Sequence, residues 1–181
     1  MPTTTPYEIS PEVARFAATI CGSSPEYVAV ANEREPLDCF FNCAAEVTEN
    51  GGELILGWAI WERAGAYLEA EHHAIVKRLD GTLMDVTPHN GESHILFLAD
   101  PTAKFNGVVG RNNHRAPIAP EAVEWKTLAN ANGERLRKAR MYGISKLTET
   151  QRQETMRVAE RLMKVQQAIE SKYPGEPIYR R

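Results

Sequence analysis

Leu54-Ile55-Leu56-Gly57-Trp58-Ala59-Ile60-Trp61 is a short apolar run with β-branched and aromatic side chains, set between Asn50-Gly51-Gly52 and Arg63-Ala64-Gly65-Ala66. A run this short, closed at both ends by turn residues, reads as a strand covered on both faces. The sheet extends downstream. Tyr67 to Lys77 and Thr82 to Thr87 flank Leu79-Asp80-Gly81, and Asp-Gly between two apolar segments signals an antiparallel hairpin. His94 to Leu98 adds a fourth strand. Trp58 and Trp61, three residues apart, fall on opposite strand faces, so one of them is available to line a site.

Helical patterns surround this centre. Ser10-Pro11-Glu12 supplies an N-cap, an N1 proline and a first-turn acid, and Val13, Phe16, Ala17 and Ile20 follow at helical spacing. A second helix is expected from about Leu37-Asp38, with Asp38 as cap and Phe40, Cys43, Ala44 and Val47 as its apolar stripe, ending at Asn50-Gly51-Gly52. Residues from about Glu121 onward read as helical. Thr148 with Gln151 forms a capping box, and a stripe runs through Met156, Ala159, Leu162, Met163, Gln166 and Ile169 until Tyr173-Pro174-Gly175. The Gly/Asn/Pro-rich stretch after Asp100-Pro101, to about Pro120, reads as a long loop lying on the domain and bordering a cleft. The expectation is an α+β protein: a central antiparallel sheet of about four strands with the Cys39 helix packed on it, residues 1–120 forming the core and 121–181 a helical C-terminal extension.

The chemistry lies in three segments. Cys39 falls in the first turn of the second helix, where the helix dipole favours a thiolate. His73 shares a strand face with Glu71 and Ile75, whereas His72 shares the other with Ala70, Ala74 and Val76, so one histidine is expected to face the helix and His72 to be a packing residue in the opposite layer. Asp85 on the next strand can fix the histidine tautomer and stabilise its imidazolium, or simply cap the turn Val86-Thr87-Pro88-His89. Cys39 as nucleophile, His73 as general base and acid, and Asp85 as orienting carboxylate make an acyl-transfer site, with helix-start N–H groups as oxyanion donors and Asn42 and Trp58 as substrate-binding residues of the cleft. Cys43, one helical turn from Cys39, is the competing thiol.

The set Cys39, then His73-Ala74, then Asp85-Val86-Thr87-Pro88 resembles the core of transglutaminase-like enzymes within the papain-like cysteine enzyme superfamily, over roughly Leu37 to Pro88. Phe40 stands where those enzymes have tryptophan, and Ile75 where they have an aromatic. The longer pattern, with Gly57-Trp58-Ala59-Ile60-Trp61-Glu62 and Ile95-Leu96-Phe97-Leu98-Ala99-Asp100, also resembles small uncharacterised bacterial and phage proteins. The resemblance implies a transglutaminase-like core and thiol chemistry on an amide-like or peptide-like bond.

Two other functions use the same residues. Cys39, Cys43, His72 or His73, Asp85, His89 and His94 include enough soft and borderline ligands for zinc, although their spacing is no recognised zinc motif. A non-enzymatic binding or inhibitory protein would instead use the basic cluster Arg135, Arg137, Lys138 and Arg140. The expected reading is a cysteine-dependent hydrolase or acyltransferase with no cofactor and no metal.

Bulk properties narrow the partners. With 181 residues, 43% hydrophobic, the chain is long enough for a real core, and a net charge of -3 gives no bulk attraction to nucleic acid. No stretch has the length and apolarity of a membrane span, and Met1 to Ser10 lacks the features of a secretory signal, so the cytoplasm is the expected compartment. Three cysteines cannot all pair within one chain and are read as thiols.

Overall fold

A sheet of six strands closes on itself. The computed structural model describes residues 3–31, 34, 39–89, 91–107, 110–142 and 148–175. Its strands are β1 (Glu26–Val30), β2 (Glu53–Arg63), β3 (Tyr67–Lys77), β4 (Leu83–Asp85), β5 (His94–Ala99) and β6 (His114–Pro117), in the order β2-β5-β1-β4-β3-β6 with β2 also bonded to β3. Five strands therefore make a closed barrel, and β6 lies outside it on β3. All pairings are antiparallel except β1 with β4.

The expected open antiparallel sheet of about four strands, with a transglutaminase-like core and the nucleophile helix packed on it, is thus replaced by a closed mixed barrel. Two features of the chain cause the difference. Glu26-Tyr27-Val28-Ala29-Val30, absent from the expected set of strands, fills the place between β5 and β4 that turns a sheet into a ring. The long β2–β3 hairpin, paired from Glu53↔Lys77 to Arg63↔Tyr67, supplies one strand to each side of the closure. The Asp80-Gly81 hairpin forms as expected, with Gly81 at φ 87°, but pairs only Val76↔Met84 and Lys77↔Leu83 before β4 turns to β1.

Strand parity then sorts the side chains. Val28, Ala59, Trp61, Ile75, Ile95 and Phe97 form one cluster drawn from four strands and fill the barrel. Trp58, Ile60, Leu68, Ala70, Leu96 and Leu98 point outward and are covered by Val13, Phe16 and Ala17 of α1 (Pro11–Ala18). Ser10 caps α1 as expected, its Oγ accepting from the Val13 N–H at 3.2 Å.

The barrel wall has a split. One edge of β3 pairs with β2 throughout, but on the other edge β4 reaches only Val76 and β6 only Ala70, so Glu71 to Ile75 have no strand partner there among the described residues. α2 (Cys39–Asn50) fills that split from outside: Cys43 and Val47 pack on Ala74, Val76 and Val86, and the Cys43 thiol donates to the Ala74 carbonyl at 3.2 Å. A backbone carbonyl that lacks a ladder partner must find another donor, and this one does. The helix ends where the glycines predicted, with Gly51 at φ 75° donating its N–H to the Val47 carbonyl. The expected start at Leu37 and cap at Asp38 lie outside the described residues.

α3 (Glu121–Tyr142) and α4 (Glu149–Lys172) pack on Ala66 and Tyr67 through Trp125, Val165 and Ile169, with Tyr67 and Trp125 stacked at 3.7 Å. The Thr148/Gln151 capping box is present. The buried face of α4 differs from the expected stripe. Leu162, Val165 and Ile169 face inward, while Met156 and Met163 are 62% and 56% exposed, because α4 packs against one neighbouring layer and buries a narrow face.

Gly57 sits where β2 meets both β3 and β5, paired with His73 and Ala99, and a Cβ there would strike the Leu98 carbonyl and the Phe97 ring. Gly57→Ala should therefore lower stability by about 1–3 kcal/mol, read as a lower urea midpoint at unchanged slope. An unchanged midpoint would mean that the closure yields at this corner.

Candidate active site at the barrel split

His73 and Asp85 have inward parity on β3 and β4, and both are buried. The His73 Nε2–H donates to Asp85 Oδ2 at 2.8 Å. The other carboxylate oxygen, Oδ1, accepts the Thr87 N–H at 2.9 Å, so Asp85 caps the turn and holds the histidine at once. His89 lies at the end of that turn and donates its own Nε2–H to Asp85 Oδ2 at 2.7 Å. Burial alone would raise the Asp85 carboxyl, but the charge of His73 and the hydrogen bonds from His73 and His89 hold it well below the usual carboxylate range. Burial likewise opposes charge on His73, and Asp85 together with Cys39 overcomes it, leaving the imidazole well above its ordinary value.

Cys39 reaches this pair through the split. As the first residue of α2 it lies within hydrogen-bonding reach of His73. Because Nε2 is engaged with Asp85, Nδ1 is the ring nitrogen left to exchange a proton with the thiol. Cys39, His73 and Asp85, separated by up to 46 positions in sequence, are thus brought together, Cys39 beside His73 and His73 bonded to Asp85. Cys43 is placed differently. It is fully buried, bonded to Ala74, and pushed further toward the neutral thiol by burial and by the nearby Asp85.

Both histidines touch the first turn of α2, whereas only one was expected to. His73 meets Cys39, and His72 lies 5.0 Å from the Phe40 ring and 5.1 Å from Trp58. The N-terminal tip of a helix set into a split strand edge contacts side chains from both strand faces. His72 Nδ1 accepts the Arg111 N–H at 2.9 Å, which places its proton on Nε2. Burial, with Arg111 nearby, lowers its pKa to about 4, so it stays neutral near pH 7.

Asn42 donates from Nδ2 to Thr87 Oγ1 at 3.1 Å and ties α2 to the turn that carries His89. Trp58 is 1% exposed, with its Nε1–H donating to Asp100 Oδ2 at 3.0 Å. Of the two tryptophans it is Trp61 that enters the barrel beside the site, 5.3 Å from the His89 ring and bonded to Glu71. A cleft of about 430 Å³ opens over Cys39, lined among others by Phe40, Phe41, Phe105 and Arg111. The stretch after Asp100 therefore borders the cleft, as its composition suggested, but it is not a loop as far as Pro120: His114–Pro117 pair with β3 as β6. Of the residues considered as zinc ligands, His73, Asp85 and His89 come together, their ligand atoms lying within 4.8 Å of one another.

His89, considered from the sequence only as a zinc ligand and as the end of the turn after Asp85, proves to be bonded to Asp85 itself; no local pattern signals that contact. No helix among the described residues is long and apolar enough to cross a membrane. No known protein family, curated protein or solved structure matches this chain.

The His73–Asp85 pair sets a pH dependence. A depressed carboxyl stabilises fully above its ordinary value and loses that contribution as pH falls below about 4, whereas a raised imidazole stabilises fully below about 6.5 and loses it as pH rises. The urea midpoint should be highest between about pH 4 and 6.5 and fall on both sides. Asp85→Asn should cost about 3–5 kcal/mol within that window, by leaving a buried imidazole uncompensated, and should flatten both limbs.

Proposed function

We propose that this chain is a cysteine-dependent hydrolase or acyltransferase acting on an amide-like bond. The observation that carries the proposal is the continuous chain of Cys39, His73 and Asp85 at the split in the barrel wall, with Cys39 opening to a cleft. In the reaction His73, held by Asp85, carries the Cys39 proton as imidazolium before substrate arrives, and the thiolate sulfur attacks the carbonyl carbon. The same imidazolium then protonates the leaving amine as the tetrahedral adduct collapses to a thioester. Water or an amine, deprotonated by His73, attacks the thioester and releases the acyl group and the thiol. Asp85 does not take a proton in either half; it keeps the imidazole oriented and its positive charge compensated.

Cys39 is chosen over Cys43 because it is part-exposed and adjoins His73, while Cys43 is sealed against Ala74. The order of the cysteine, histidine and aspartate segments, which resembles that of transglutaminase-like enzymes, supports the same chemistry without that fold. A cytoplasmic setting suits a site built on a reduced thiol.

A second reading rests on the His73, Asp85 and His89 cluster, whose two imidazoles and one carboxylate could hold a divalent metal such as zinc. One experiment separates the two. Iodoacetamide labelling followed by intact mass and peptide mapping should modify Cys39 rapidly at pH 6, at least tenfold more slowly in His73→Ala, and leave Cys43 unlabelled until the protein is denatured. Slow labelling that speeds up after chelation, with about one metal released per chain, would replace the thiol enzyme by the metal site.

A further inference from the structure

The cleft over Cys39 is lined by several cations. Arg111, Arg115, Arg137 and Arg140 all face it, against the single carboxylate of Glu71. Two of the four are neutralised: Arg115 pairs with Glu69 at 2.6 Å and Arg137 with Glu134 at 3.0 Å. Arg111 and Arg140 form no ion pair with a carboxylate among the described residues, and both are exposed.

Arg111 is nevertheless held in place. Its N–H is bonded to the buried His72, and its guanidinium lies 5.9 Å from the centre of the Trp58 ring. Such anchoring costs little if the cation serves only to be solvated, but it preorganises a guanidinium that has a ligand to meet. The same cleft has an apolar part: Phe40 and Phe105 stack at 4.0 Å, and Phe41, 54% exposed, meets Phe105 edge-on at 5.9 Å. A chain with a net charge of -3 that concentrates unpaired guanidinium groups beside its candidate nucleophile is set up to collect an anion there.

We infer that the acyl donor is an anionic molecule, bound by Arg111 and Arg140 through a carboxylate or phosphate group, with its apolar part against Phe41 and Phe105. This rests on the thiol reading for the identity of the acyl donor, but the anion site itself does not require it. Planar guanidinium forks bind either oxyanion through paired N–H···O bonds, so the shared chemistry is the oxyanion. The binding is diffusion-assisted and falls with ionic strength.

Two readouts on the full chain test the inference. Iodoacetate and iodoacetamide differ in charge and little in size, so their rate ratio at Cys39 reports cleft charge separately from thiol reactivity. The ratio should exceed that of free cysteine and fall about five- to tenfold in R111Q/R140Q, and it should also fall on raising salt. Calorimetric titration with succinate and, separately, inorganic phosphate should show binding to wild type that the double variant loses and R111K retains in part; which anion binds distinguishes the two sources. Binding absent from wild type, or equal in the variant, overturns the anion site. Anion binding lost in the variant while iodoacetamide labels Cys39 slowly at pH 6 would keep the anion site and remove the thiol enzyme.

Discussion

The unpaired edge of β3 from Glu71 to Ile75 is the constraint on which the site depends. Backbone donors and acceptors inside a barrel wall must be satisfied, and β4 and β6 leave this stretch uncovered because each pairs with only one end of β3. The α2 helix meets the need at Ala74 from outside, and the loop at Arg111 bonds to a side chain of the same stretch. Cys43 takes the carbonyl of Ala74, and the Arg111 N–H takes the ring of His72. A closed wall would have kept any external helix away from His73. The split brings a thiol on an outer helix into contact with an imidazole that belongs to the barrel interior.

Burial decides how the charged groups behave once they are there. An isolated buried carboxylate or imidazolium is strongly unfavourable, whereas a pair 2.8 Å apart with its remaining valences filled is tolerated. Asp85 fills them with Thr87 on one oxygen and two histidines on the other, which locks β4, the following turn and β3 into one unit. The same desolvation separates the two helix cysteines. Cys43 is held as a neutral packing residue, and Cys39, a turn earlier, stands at the cleft.

Much of this was legible from residue types. The apolar run around Gly57, the Asp80-Gly81 hairpin, the Ser10 and Thr148 caps and the glycine stop of α2 are local signals, and each produced its element. Parity placed His73 and His72 on opposite faces correctly. The closure was not legible because it depends on β1, a strand of five residues that carries little periodic signal and makes a parallel pairing distant in sequence. The face of α4 was misread because exposed methionines supply helical periodicity without saying which stripe finds a neighbour.

What the sequence by itself determined is the inventory and its local geometry: a cysteine opening a helix, a histidine on a strand and an aspartate before a turn, each set by short-range propensity and period. Tertiary structure decided their relation. It buried Cys43 and left Cys39 part-exposed, placed Trp58 in the outer layer and Trp61 beside His89, and brought His89 to Asp85 and the Arg111 N–H to His72. The physical reason is that propensity acts over a few residues, whereas desolvation and pairing are settled only when the barrel closes.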